Sequence, residues 1–471
     1  MPSQSALNDT TPVQTPSSEP TQPFRDTLVE LSAGLAILGK AQCQQKSPSG
    51  IMEGGLIKKF DRLDLIEKTG ISLPEILWAF ALIFSPSRNG KHVVASVLRE
   101  ETQKQEPEKP LFTIYLAANS KECRETWTPT YNKKWENAVN HPTSTPLDFS
   151  SNLWRELTRT CIKRIKDYMK LAKKQFRGEK GKNTLQEIKT WLPSESSSEF
   201  AIELISLLEK IKETIENNPY NEGDLRSLVQ DCWEITLSEK NKKKFEATYE
   251  NLKCDSTHPT RPPSHKPLDR IQDLAKLPRA FKIFAKFQNI LVLNEARLDI
   301  EEIPEITEHD HILPAVDGDH TNLIQKAINN LASQNPKVKR LEDLKALVGT
   351  RKTGHLHCEV KMLQHIDQCR EEERVGIWNV IGCSKRPCYT CAKLIEASGF
   401  LYKESHGKAY YQQFGSVGGW LEGNPRMKEA IEELKVEVVT SVQRYSRSGD
   451  RPMTPVPDSP TLWSFNSFGR S

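Results

Sequence analysis

Along most of the chain, hydrophobic residues recur every three or four positions, the spacing of amphipathic helices. Leu28, Leu31, Leu35 and Leu38 predict a helix over 24–40. The run 74–84 is apolar nearly all round, which predicts a helix buried on every side. Trp154, Leu157, Cys161, Ile165, Tyr168, Ala172 and Phe176 keep the helical period, as do Leu204, Leu208, Ile211 and Ile215. Residues 268–290 read as helix interrupted at Pro278, whose ring and missing N–H oppose an unbroken helix. Four runs depart from this period and are rich in β-branched and aromatic residues: 92–99 (HVVASVLR), 111–119 (LFTIYLAAN), 376–381 (GIWNVI) and 435–442 (KVEVVTSV). They predict strands, with the polar stretch 100–110 as a loop between the first two. Strands scattered among helices predict an α/β layer whose sheet is assembled from distant parts of the chain.

The two ends follow neither period. Residues 1–24 and 446–471 are rich in Ser, Thr and Pro and predict disordered tails. The second carries Thr454-Pro455 and Ser459-Pro460, candidate phosphorylation sites. At about 150 residues per domain, a chain of 471 suggests two or three domains, or one with large insertions. The resulting expectation is a mostly helical region over 25–350 and a core over 351–445. The longest apolar stretches, 31–38 and 76–84, fall well short of the roughly 20 residues a membrane helix needs, so no membrane partner is expected. Residues 1–24 lack the basic start and apolar core of a secretory signal. Ten irregularly spaced cysteines do not form a disulfide framework. A cytoplasmic or nuclear location is therefore expected, where cysteines serve metal binding or catalysis.

Two short motifs carry chemistry. His357-Cys358-Glu359 precedes the helical pattern Val360, Leu363, Ile366; Pro387-Cys388-Tyr389-Thr390-Cys391 precedes Leu394 and Ile395. About one H-x-E is expected by chance in such a chain, whereas Pro-Cys-x-x-Cys is expected in roughly one such chain in a hundred. Both motifs stand at predicted helix starts. Cys388 and Cys391 share one face of a first turn, where the partial positive charge of the helix N-terminus favours thiolates. His357, Cys388 and Cys391 thus offer three of the four tetrahedral ligands of Zn²⁺, the fourth position being left to water in a catalytic site. Glu359 is the spare acid, placed to move protons. A structural zinc with Cys383 or His355 as fourth ligand, and a redox Cys-x-x-Cys, are the competing readings of the same residues.

HCEVKML followed by IGCSKRPCYTC resembles the cytidine-deaminase-like superfamily, and within it most nearly the OTT-like deaminases found in fungal genomes. Cys358 stands where those proteins usually have Ala, and Pro387 where many have another small residue. The resemblance covers about 356–400, with a weaker echo to Trp420. It implies a three-layer α/β/α deaminase fold, a zinc ion held by His357, Cys388 and Cys391, Glu359 as catalytic acid–base, and a nucleic acid or nucleotide as substrate. It further implies that a hairpin precedes the H-x-E helix. With 92–99 and 111–119 as that hairpin, Asn119 becomes a candidate substrate contact, and about 122–350 a long helical insertion. Ser384 and Lys385 recur in the family motif and are candidate substrate contacts at the pocket mouth. The alternative is a non-catalytic deaminase-like protein whose zinc is structural. His406 and Trp420 are further candidates for shaping the pocket. The basic stretch 159–182 is a candidate phosphate-backbone contact as well as a solvated helix face. Residues 240–244 (KNKKK) are a candidate nuclear signal.

Overall fold

The computed structural model describes residues 20–40, 71–102, 110–127, 129–140, 148–176, 178–195, 198–217, 220–253, 264–293, 295–304, 356–402, 405, 408, 410, 414 and 417–448. Helices α1 (Gln22–Lys40) and α2 (Leu73–Ile83) precede strands β1 (Val94–Thr102) and β2 (Pro110–Ala118). A helical array follows: α3 (Lys121–Arg124), α4 (Pro129–Asn140), α5 (Asn152–Thr160), α6 (Ile162–Phe176), α7 (Gly178–Glu195), α8 (Ser198–Glu216), α9 (Glu222–Leu237), α10 (Lys242–Lys253) and α11 (Lys266–Leu293). Strand β3 (Arg297–Glu302) returns to the sheet. Then come α12 (Cys358–Gln368), α13 (Glu371–Val375), β4 (Gly382–Cys383), α14 (Tyr389–Ala397), α15 (Gly418–Gly423) and α16 (Pro425–Ser448).

The described residues are mostly helical around one small mixed sheet of order β3-β2-β1-β4, an α/β arrangement. β1 pairs antiparallel with β2, Val94 opposite Ala118, and antiparallel with β4, Ala95 opposite Cys383. β3 pairs parallel with β2, Leu111 opposite Arg297. Alternate residues of the hairpin enter different cores. Val94, Leu98, Phe112, Ile114, Leu116 and Ala118 join the core of α2 and α11. Ala95, Val97, Tyr115 and Ala117 join the core of α12, α14 and α16. A one-residue slip would exchange the two faces, so burial on both sides pins the register.

Helix α2 is buried along its whole length, the outcome of an all-round apolar run placed between the sheet and α11. Its start is closed by a reciprocal cap: Ser72 backbone N–H donates to Glu75 Oε2 at 3.2 Å. Glu75 also accepts from Arg279 Nη2 of α11 at 2.8 Å, a buried ion pair. Phe80 meets Phe284 and Phe287 of α11 edge to face at 5.6 and 5.9 Å. On the opposite side of the sheet α1 packs along α16, tied by Lys435 to Glu30 at 2.7 Å.

Several expectations are corrected. Residues 435–442 are helix, not strand: Met427, Ala430, Ile431, Leu434 and Val438 are buried at helical spacing, and Val436 is turned out to solvent. Three- and four-residue periodicity over 24 residues overrides the local β-branched bias. The run 376–381 makes isolated bridges only, Ile377 to Arg99 and Val380 to Leu401, and the paired ladder begins at Gly382. Pro278 does not interrupt α11, whose neighbours on both sides hold it helical. The pattern from Trp154 to Phe176 is two helices, broken at Cys161. Strand β3 has no counterpart in the sequence reading. Residues 22–24 and 446–448, expected in the tails, are helical, with Thr21 Oγ1 bonded to Glu422 at 2.6 Å beside the first of them. The rest of the expected tails, 1–19 and 449–471, lies outside the described residues, as do His406 and all of 305–355, His355 included.

Candidate metal centre and active site

The site forms where the end of β2 meets the starts of α12 and α14. His357 and Cys388 are the N-cap residues of these two helices, both in extended backbone conformation. An N-cap side chain points back over its own helix terminus, so two caps brought together aim at one point. Cys391 follows three residues after Cys388, on the same face of the first turn of α14. His357 Nδ1 stands 3.5 Å from Cys388 Sγ and 3.3 Å from Cys391 Sγ. One donor atom from each of the three residues lies within 4.8 Å of the others.

These distances test the fit to zinc. A tetrahedral ion with Zn–S near 2.3 Å and Zn–N near 2.05 Å separates S from N by about 3.6 Å. The observed separations agree with that figure, and the donors are of the borderline-soft kind zinc takes. Among the described residues, no other His, Cys, Asp or Glu cluster meets the same criterion, and neither Cys358 nor Cys383 joins this one.

Electrostatics favour the ligating form of Cys388. Burial pushes the Cys388 thiol up, but its hydrogen bonding with Cys391 and the His357 ring beside it bring it well below the ordinary range. Burial lowers His357, and the neighbouring Cys388 more than offsets this, leaving the imidazole raised. Cys388 Sγ also accepts from Cys391 N–H at 3.5 Å, so this ligand caps its own helix.

Glu359 is 3% exposed, with Oε2 3.4 Å from Cys358 Sγ and 3.8 Å from Cys391 Sγ. Burial raises its carboxyl above the ordinary value, and His357 offsets only part of that. A buried carboxyl whose affinity for a proton is raised, beside a three-residue donor cluster, is equipped for proton transfer. Cys358 and Cys383 are buried thiols raised by desolvation, with Glu359 adding to both.

The other candidates have clear places. Asn119 is buried; its Oδ1 accepts from Cys358 N–H at 2.6 Å and its Nδ2 donates to Gly90 O at 2.8 Å. Ser384 exchanges two bonds with β1: its Oγ accepts from Val94 N–H at 3.0 Å and its N–H donates to Val94 O at 2.9 Å. Lys385 sits partly exposed in the turn between β4 and α14. Trp420 lies against α12, its Nε1 donating to Asp367 Oδ2 at 2.8 Å. Two neighbours of the site were not singled out from sequence. Lys361, buried in the first turns of α12, donates to Asn119 O at 3.3 Å. Tyr410, 42% exposed, has its ring 6.2 Å from that of His357. Lys361 lies two residues after Glu359 on the same helix, within the HCEVKML run, and Tyr410 lies in the weaker echo that reaches Trp420.

A family model described as OTT_1508_deam-like deaminase matches residues 356–414. This segment is similar to a deaminase. The match begins one residue before His357 and takes in Glu359, Cys388, Cys391 and Tyr410, leaving the sheet hairpin and the helical array outside it. No curated protein and no solved structure matches the chain.

Proposed function

We propose that the protein is a zinc-dependent hydrolytic deaminase that removes the amino group of cytosine or adenine in a nucleic acid or nucleotide. The observation that carries this is one cluster: His357, Cys388 and Cys391 at zinc-binding separations, the buried Glu359 carboxyl beside them, and a deaminase-family match over the same segment. The fold is read as the three-layer α/β/α deaminase type. Helices on both faces of the sheet β3-β2-β1-β4, with α12 and α14 on one side, support that reading.

His357, Cys388 and Cys391 would hold the ion, which would supply a water acidified towards neutrality. Glu359 would take one proton from the attacking water and pass it to the ring nitrogen beside the amidine carbon; a second proton, from the hydroxyl so added, would pass through Glu359 to the amine, which leaves as ammonia. Its raised affinity for a proton suits both transfers. The products are a uracil- or hypoxanthine-type base and ammonia.

A phosphate-bearing substrate is supported by the surroundings. Lys163 and Lys166 are exposed on α6, whose Arg164 N–H donates to Pro86 O at 3.1 Å. That places the basic start of α6 against the 86–92 loop, which carries the exposed Lys91 and touches Asn119 through Gly90. Among the described residues no helix is long and apolar enough to cross a membrane.

The test is elemental analysis of wild type, His357→Ala, Cys391→Ser and Glu359→Gln, followed by deamination assays on cytosine and adenine in single strands and free nucleotides. Zinc is expected at one per chain in wild type and Glu359→Gln, and absent from the other two. Product is expected from wild type alone. Zinc that survives His357→Ala, or a fully active Glu359→Gln protein, overturns the proposal.

A further inference from the structure

The two helices that converge on the metal centre solve the same problem differently. An α-helix leaves its first N–H groups without intrahelical partners, and the N-cap side chain normally accepts one of them. At α14 the N-cap is Cys388, whose Sγ accepts from Cys391 N–H while facing the cluster. At α12 the N-cap is His357, whose side chain makes no cap bond and whose Nδ1 is turned towards the two thiols. A ligating His357 cannot cap its own helix, because the ring nitrogen that would face the helix N–H groups is the one committed to the metal.

The orphan donor is met from elsewhere. Asn119, at the end of β2, places Oδ1 2.6 Å from Cys358 N. Its orientation is set from three sides: Nδ2 donates to Gly90 O at 2.8 Å, its backbone N–H donates to Val93 O at 3.0 Å, and its backbone O accepts from Lys361 Nζ at 3.3 Å. The residue is 6% exposed, and both ends of its amide are engaged within the protein.

We infer that Asn119 is a positioning residue for the metal centre, an N-cap supplied in trans that fixes the turn carrying His357 and Glu359 against the end of β2. This rests on the metal reading proposed above and deepens it. It assigns Asn119 to the protein side of the site, in place of the direct substrate contact that the family resemblance implies. The carbonyl oxygen is the working atom. Rotation or fraying of the first turn of α12 would swing the His357 ring away from Cys388 and Cys391 and move the Glu359 carboxyl with it.

The test compares full-length wild type, Asn119→Leu and Asn119→Asp. Leu keeps the volume and removes the acceptor. Asp keeps the acceptor and places a carboxylate at a helix N-terminus, where it is favoured. Zinc retention is measured by competition with a chromogenic chelator, and ligand geometry by the visible absorption bands of the cobalt(II)-substituted protein. Asn119→Leu is expected to hold zinc about tenfold less tightly, the size of effect seen when a group that orients a metal ligand is removed. Its cobalt bands are expected to shift, while Asn119→Asp recovers wild-type bands and most of the affinity. If Asn119→Leu does not fold, Asn119→Ser, too short to reach Cys358, takes its place.

Wild-type zinc affinity and an unchanged cobalt spectrum in Asn119→Leu overturn the inference. If KM for a deaminated substrate rises in that same variant, Asn119 belongs to the substrate instead. An Asn119→Asp protein as impaired as Asn119→Leu also overturns it, because the amide nitrogen would then be the working group. Wild-type protein that takes up neither zinc nor cobalt overturns the metal reading itself, and this inference with it.

Discussion

Gly382 is where the helix behind the sheet comes closest to the strand that leads into the cysteine turn. A Cβ there would lie 2.4 Å from Leu77 Cβ, 2.5 Å from Leu77 C and 2.7 Å from Trp78 N. Ordinary carbon contacts begin near 3.5 Å, so Gly382→Ala demands a displacement of about 1 Å. The obstructing atoms belong mostly to the backbone of α2, and α2 has no room to retreat. Its far side is held by the Phe80 contacts with Phe284 and Phe287 and by the Glu75–Arg279 pair. Overpacking of this kind costs about 1–3 kcal/mol. At roughly 2–4 °C per kcal/mol for a domain of this size, Tm should fall by about 2–12 °C. The assay is thermal unfolding followed by circular dichroism, with Gly90→Ala as control. Gly90 is exposed, with nothing within 4 Å of where a Cβ would lie, and Ala there should stay within about 0.5 kcal/mol of wild type. Gly382→Ala should also loosen zinc, because β4 sets the origin of the turn that ends at Cys388. A Gly382→Ala protein that unfolds with the control would refute the close approach of α2 to β4.

Three further outcomes are expected. Arg279→Met strands the buried Glu75 carboxylate and should cost about 3–5 kcal/mol in urea unfolding, while Glu75→Leu with Arg279→Met should recover most of that loss. Equal loss in the single and double variants would show that packing rather than charge is at stake. Ser384→Ala leaves the buried Val94 N–H without its acceptor and should cost about 1–3 kcal/mol, with faster hydrogen exchange at Val94. A stable Ser384→Ala protein with raised KM would instead place Ser384 on the substrate. Stripping zinc with a chelator should lower Tm, and free zinc at a hundred times its Kd should restore about 2.7 kcal/mol. No shift in either direction would separate the metal from folding.

Much of the secondary structure was legible because burial writes itself into local periodicity. Helix α2 was visible as a run with no polar face, and the hairpin as two runs of β-branched and aromatic residues around a polar loop. The cluster of His357, Cys388 and Cys391 was legible because metal-binding donors must stand at particular spacings. A Cys-x-x-Cys at a helix start places both thiols on one turn whatever the rest of the chain does. What was misread was short. The run 435–442 has strand-like composition, but its fate was decided by partners on α1 and α14 that a local window does not contain. Strand β3 is six residues long and charged at four of them, and it is a strand because β2 offers it a free edge.

By itself, then, the sequence determined which atoms are available: an imidazole, two thiols and a carboxylate at two helix starts, and apolar stripes enough to bury them. Only the tertiary structure decided that these starts meet, since His357 and Cys391 are 34 residues apart and their separation in space depends on how β4 and α12 seat on β1. It also decided the partner of Asn119 Oδ1, the Cys358 N–H 239 residues away. Local spacing can specify a ligand and a helix end. A cap delivered from another strand depends on register across the sheet, and register follows from burial on both faces at once.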